Sequence, residues 1–135
     1  MKILAIDVGG KSWGYCFKDD VAEDSGFYMT KSYMTFNKHA ACLMALWKPK
    51  MVVVGKPNRY YNVISSHNRY IGILCLLCEK AGIPLIEMND VTARATLYPG
   101  EGTKKVGMKK YFPFKQDDEI DACVLAKAWY KLNQK

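Results

Sequence analysis

A carboxylate stands where an apolar run stops. Ile3-Leu4-Ala5-Ile6 has the makings of a buried strand, and Asp7-Val8-Gly9-Gly10 follows it directly. Trp13-Gly14-Tyr15-Cys16-Phe17 then reads as a second strand, with the glycines between as turn residues. An acid at the end of a central strand loses solvation unless positive charge sits beside it. A bound metal ion, or a phosphate-bearing ligand held by metal, meets that need. The rest of the chain therefore has to be read for the acids that reach Asp7.

Three strands open the chain: Lys2 to Ile6, Ser12 to Lys18 and Phe27 to Thr35. Asp19-Asp20 and Asp24-Ser25-Gly26 supply turn residues between them, which predicts an antiparallel meander. Asn37 is placed to cap a helix that runs through Trp47. Met51-Val52-Val53-Val54, ended by Gly55, is a continuous apolar strand of the kind buried on both faces. A helix from Ser65 or Ser66 to Ala81 carries Ile71, Leu74, Cys78 and Ala81 at helical spacing, and Gly82 stops it. Pro84 to Met88 is a fifth strand; a basic stretch from Arg94 to Lys115 leads to a last helix from about Asp117 to Lys131. Strands joined through helices run parallel. The expectation is an α/β fold with a mixed five-stranded sheet, three strands antiparallel and then two parallel, flanked by helices.

The 135 residues predict one domain spanning the whole chain. Met1-Lys2-Ile3 is already strand-like, so no signal peptide is expected, and the apolar runs are too short and too broken by charge to span a membrane. The cytoplasm is the expected compartment. The five cysteines follow no framework and lie in apolar stretches, so reduced, buried thiols are expected. Cys75-Leu76-Leu77-Cys78 is formally C-x-x-C, but it lacks a second pair and sits in an Ile- and Leu-rich helix; core packing is preferred to zinc or redox chemistry. A net charge of +7 favours a polyanion partner, nucleic acid first; solubility alone is the competing explanation.

Asp117-Asp118-Glu119-Ile120-Asp121-Ala122 opens the last helix. Asp118 and Asp121 share one helix face. Asp117 as an N-cap, with acids in the first turn set against the helix dipole, explains much of the cluster. It explains Asp121 less well, since Ala122, Val124, Leu125 and Ala126 surround that acid. With Asp7, the D-x-x-D face makes an all-oxygen set for one or two hard divalent cations, Mg²⁺ with Mn²⁺ as substitute. Two such ions would clamp a phosphodiester.

At these residues the chain resembles RuvC-type Holliday junction resolvases. Ile3 to Gly10 with Gly14-Tyr15 is similar to their first strand and turn, and Asp118-Glu119-Ile120-Asp121-Ala122 to their C-terminal acidic helix. Val52-Val53-Val54-Gly55-Lys56-Pro57 stands at their fourth strand, Glu79 to Glu87 at their helix into strand five, and Gly100 to Val106 at their Gly-x-Gly and lysine segment. The resemblance spans nearly the whole chain in order. It implies an RNase H-like fold, a homodimer, metal-dependent cleavage of branched DNA such as four-way junctions, and, from the short length, a phage or viral version acting in a bacterial cytoplasm. One departure stands out: the family's glutamate at the end of strand four is Gly55 here. A second family of this fold, the YqgF type linked to ribosomal RNA processing, has glycine there and takes its acid from the end of strand five. Asp90 matches that place, with Glu87 nearby on the face of Leu85. Asp90 is thus the expected fourth metal ligand beside Asp7, Asp118 and Asp121; an N-cap for the segment from Val91 is the competing role.

Arg59, Arg69, Arg94, Lys104, Lys105, Lys109 and Lys110 are the candidate phosphate contacts, against a merely solvated cationic face. By the resemblance, Lys104 or Lys105 also stabilises charge at the scissile phosphate, and Lys105 joins the catalytic set. Tyr60 and Tyr61, in the polar loop after strand four, either stack on unpaired bases or edge the core. His39 and His67 have no partner motif and read as surface or capping residues. A dimer is expected to form through a helix face, Ile71 to Cys78. Three rivals remain: a YqgF-like nuclease acting on structured RNA, a junction-binding protein whose site has degenerated at Gly55, and an actin-like ATPase, which needs a second copy of the domain.

Overall fold

Alternation along the first strand decides where the other elements sit. The computed structural model describes the chain except for residues 10, 31, 57–62, 101–104, 114 and 134–135, and the side chains of 63–66 and 105–107. In it β1 (Ile3–Val8) is buried along its whole length. Ile3 and Ala5 belong to one apolar cluster; Leu4, Ile6 and Val8 belong to another. Successive strand side chains point to opposite faces, so the clusters lie on opposite sides of the sheet. Asp7 falls on the side of Ile3 and Ala5.

β2 (Ser12–Lys18) and β3 (Glu23–Met29) continue from β1 as an antiparallel meander. β4 (Met51–Lys56) and β5 (Leu85–Asn89) add in parallel on the other edge of β1. The order is β3-β2-β1-β4-β5, the expected mixed five-stranded α/β sheet. α1 (Tyr33–Trp47) and α2 (Val63–Ala81) cover one face through Phe36, Ala40, Leu43, Ile71, Leu74 and Cys78. α3 (Asp90–Leu97), a short 3-10 helix (Lys105–Tyr111) and α4 (Asp117–Asn133) cover the face that carries Asp7. α4 is buried from Asp118 to Ala126 without a break. Ala122, Ala126 and Ala128 let it press between the sheet and α3.

Four local expectations are corrected. The third strand is Glu23–Met29, not Phe27 to Thr35, because Asp24, Ser25 and Gly26 pair with Phe17, Cys16 and Tyr15 instead of turning. α1 begins four residues before Asn37, where the Ser32 hydroxyl accepts from the Thr35 N–H. Residues 90–97, which run into the basic stretch expected from Arg94 to Lys115 and for which the sequence predicts no element, form α3. Ile71, Leu74 and Cys78 are packed into the protein's own core, so they are not an open dimer face.

Of the cysteines, Cys16, Cys78 and Cys123 are buried as expected, whereas Cys42 and Cys75 are exposed. The two members of the C-x-x-C thus sit in different environments on α2. No helix among the described residues is long and apolar enough to cross a membrane.

Candidate metal centre

Asp7 lies opposite Gly14 in the β1–β2 ladder. A Cβ at Gly14 would run into the backbone of Asp118 and Glu119. The missing side chain is what lets the first turn of α4 lie against β2, directly beside Asp7. One carboxylate oxygen each from Asp7, Asp118 and Asp121 then falls within 4.8 Å of the other two. Their exposures of 5%, 7% and 5% mean that water cannot screen the mutual repulsion of the carboxylates. The D-x-x-D spacing works as expected: both acids of α4 point back to the strand end.

Asp118 is held from two sides. Ser12 Oγ donates to its Oδ2 in a very short hydrogen bond. Gln116 Nε2 donates to Ser12 Oγ at 2.8 Å and to Asp118 Oδ2 at 3.3 Å. Gln116 Oε1 meanwhile accepts from the N–H groups of Asp118 (2.8 Å) and Glu119 (3.2 Å). Gln116 is therefore the N-terminal cap of α4, and the expectation that Asp117 caps it is corrected: Asp117 is already the first helical residue. A Cβ on Gly9 would sit 2.6 and 2.8 Å from the Asp118 carboxylate oxygens, so the chain after β1 closes over the same group. Neither Ser12 nor Gln116 stood out as functional in the sequence. The retrievable signal was a helix-start glutamine two residues before the acid it orients.

Gly55 has a structural explanation. Gly55 shares the face of Val53, hence of Asp7. A Cβ there would lie 2.6 Å from Asp90 Oδ1 and 2.9 Å from Asp7 Oδ1. The place of a strand-four side chain is taken by the carboxylate of Asp90, brought in from the start of α3. Asp90 does not cap that helix. Asn89 does, its Oδ1 accepting from Val91 N–H (2.9 Å) and Thr92 N–H (3.3 Å). Glu87 lies across the sheet from this group and pairs with Lys56 at 4.0 Å, well exposed. His67, read as a surface or capping residue, places Nε2 3.0 Å from the Gly55 carbonyl oxygen and so ties α2 to the end of β4.

The basic residues divide. Arg94 leaves the expected cationic surface: its side chain is 12% exposed, and Nη1 lies 3.7 Å from Asp121 Oδ1. Lys109 pairs with Asp117 at 3.2 Å with both side chains open to solvent, a contact of little energetic weight. Lys110 sits 5.1 Å over the Tyr111 ring. Arg69 is exposed and donates to the Tyr33 hydroxyl at 3.3 Å. Arg59, Tyr60, Tyr61 and Lys104 lie outside the described residues, as does the side chain of Lys105.

The donor set fits a hard divalent cation. It consists of carboxylate oxygens alone, with no thiolate or imidazole among the grouped side chains, which suits Mg²⁺ or Mn²⁺ over softer metals. Gly9 and Gly55 let the backbone and the carboxylates come closer than a Cβ at either position would allow.

No family model matches the chain, and no curated protein does. Solved structures do. T. thermophilus RuvC in complex with a Holliday junction substrate superposes with a TM-score of 0.75 at 14% identity, covering 98% of this chain and 96% of that one. Fowlpox virus resolvase with its Holliday junction DNA superposes at 0.63 and 14% identity, over 100% of both chains. YeaZ from Pseudomonas aeruginosa gives 0.53 at 13% identity, over 74% of this chain but 50% of its own. The protein thus has the RNase H-like fold in the form seen in RuvC-type resolvases, matched over their full length.

Proposed function

We propose that the chain is a single nuclease domain that resolves branched DNA, cutting four-way junctions by two-metal phosphodiester hydrolysis. The observation that carries this reading is the convergence of Asp7, Asp118 and Asp121 from two elements into one buried group, with Asp90 against Asp7 above Gly55. The fold and the junction-bound neighbours support DNA as substrate. Bound Mg²⁺, or Mn²⁺ in its place, would supply the activation of the attacking water and the stabilisation of the leaving oxygen.

The chain's own residues do the rest. Asp7 supplies a carboxylate from the rigid centre of the sheet, and Asp118 and Asp121 supply two more from one helix face. Ser12 and Gln116 engage Asp118 Oδ2 and so fix the carboxylate that would hold the cation. Asp90 makes up the fourth acid, so Gly55 marks a relocated ligand and speaks for an intact set over a degenerate one. Lys105 is assigned to the scissile phosphate. Arg59, Arg69, Lys104, Lys109 and Lys110 are assigned to backbone phosphates, and Tyr60 and Tyr61 to unpaired bases. A homodimer would set two sites across a two-fold junction. With Ile71, Leu74 and Cys78 used internally, the outer face of α2 around the exposed Leu76 is the part of that helix open to it. The expected setting is a cytoplasm, that of the bacterial host for a phage-encoded chain.

The same Gly55–Asp90 arrangement favours one second reading, a YqgF-like nuclease acting on structured RNA. A panel of four-way junction, flap, duplex and structured RNA, each with Mg²⁺, separates the two. Preferential cutting of the junction supports the first reading; preferential cutting of RNA replaces it with the second. Asp90→Asn is expected to reduce cleavage about as severely as Asp118→Asn, and unchanged cleavage removes Asp90 from the ligand set.

A further inference from the structure

We infer that Arg94 is the resident counter-ion of the metal-free acid cluster, leaving Asp121 as a divalent cation loads and then serving the DNA phosphate. This rests on the reading of the cluster as a metal centre and adds a coupling between metal loading and DNA contact. Asp90 and Arg94 lie one turn apart on α3, and residues at that spacing share a helix face. α3 thus delivers an acid over Gly55 and a guanidinium to Asp121, both into the same buried group.

Nη1 of Arg94 and Oδ1 of Asp121 stand 3.7 Å apart as an ion pair. Asp121 is 5% exposed and the Arg94 side chain 12%, so water screens the attraction between them little. A guanidinium and a divalent cation compete for the same carboxylate charge. A guanidinium turned away from Asp121 remains at the cluster, where its planar fork matches phosphate oxygens. Arg94 is therefore a positioning residue before metal binds and a substrate contact afterwards.

The test titrates Mn²⁺ into purified full-length protein without DNA and reads free Mn²⁺ by electron paramagnetic resonance. Arg94→Gln, with the competing cation gone, should bind Mn²⁺ about tenfold more tightly than wild type, the scale on which one adjacent charge moves a carboxylate equilibrium. Arg94→Lys should stay near wild type. Arg94→Met, which keeps an apolar stem, takes the place of Arg94→Gln if that variant does not fold by circular dichroism. In parallel, fluorescence anisotropy on a four-way junction compares Ca²⁺ with EDTA. Wild type should gain several-fold more affinity on Ca²⁺ addition than the neutral variant. Equal or weaker Mn²⁺ binding by the folded neutral variant overturns the inference while leaving the metal centre standing. Failure of wild type itself to bind Mn²⁺ overturns the metal-centre reading from which the inference starts.

Discussion

The two faces of one sheet are built on opposite terms. On the α1–α2 side, Leu4, Ile6, Trp13, Val52 and Val54 meet Phe36, Leu43 and Leu74 in one apolar cluster. Trp13 stands edge-on to Phe36 with ring centroids 4.8 Å apart. On the α3–α4 side, Ile3, Ala5 and Val53 line the same strands, yet Asp7, Asp118 and Asp121 are buried among them. A strand alternates its side chains between these environments residue by residue, so a single β1 serves both. Apolar burial on one face holds in place acids on the other that would not choose to be together.

Substitutions on the two faces should therefore have opposite signatures. Asp7→Asn is expected to lower metal-dependent cleavage by at least about a thousandfold, as loss of one member of a cooperating set does, while leaving the melting temperature unchanged or raising it, since like-charge repulsion is relieved. Trp13→Ala should do the reverse, costing about 3–5 kcal/mol in a denaturant titration with cleavage per folded molecule retained. If both variants lose stability and activity together, the division between the faces is wrong.

Gly55→Ala probes where strand and site touch. Its Cβ would sit 2.6 Å from Asp90 Oδ1, so it should displace that carboxylate, cost about 1–3 kcal/mol by overpacking and reduce cleavage. An active, fully stable Gly55→Ala would mean that Asp90 is not held where the structure places it. A smaller effect is expected from Ser12→Ala, which removes the donor to Asp118 Oδ2: about a tenfold loss of Mn²⁺ affinity with little change in fold.

The thiols sharpen the comparison least but most simply. Cys42 and Cys75 should alkylate in the native protein, and Cys16, Cys78 and Cys123 only after unfolding. Burial pushes the Cys78 thiol up to about 11, and the hydrogen bond between Cys16 and Cys123, followed by burial, raises the Cys16 thiol. A raised thiol pKa means that the folded state prefers the neutral form. The Cys78 contribution to stability is thus complete below the ordinary thiol value of 9.0 and is lost as pH rises through about 11. Mass spectrometry after a brief iodoacetamide pulse at neutral pH counts the labelled sites.

How legible each part was follows from how local its cause is. The strand-end Asp7 and the D-x-x-D of α4 carry their placement in their own spacing, and the parallel direction of the last two strands followed from apolar runs joined by helices. β3 was misplaced because Asp24-Ser25-Gly26 has turn chemistry, while an edge strand tolerates such residues when Cys16 and Tyr15 offer the pairing partners. α3 was missed because its own residues include Asp90, Thr92, Arg94 and Thr96, a polar run without an obvious apolar stripe; Asn89 was its available start signal. Arg94 looked like surface charge because its partner Asp121 is distant in sequence. Ser12 and Gln116 were invisible for the same reason, since their hydrogen bonds span more than a hundred residues or rest on a cap.

The central claim, that this buried acid cluster is a metal-dependent nuclease centre, is tested most directly on one labelled four-way junction. Purified wild type and Asp7→Asn are compared with Mg²⁺ absent, added, and removed again by EDTA, and the products are mapped at nucleotide resolution. The account predicts paired nicks near the crossover for wild type with Mg²⁺ only, and intact junction bound by Asp7→Asn under every condition. Nicking without a divalent ion, equal nicking by Asp7→Asn, or a folded wild type that binds the junction and leaves it whole in Mg²⁺ would contradict it.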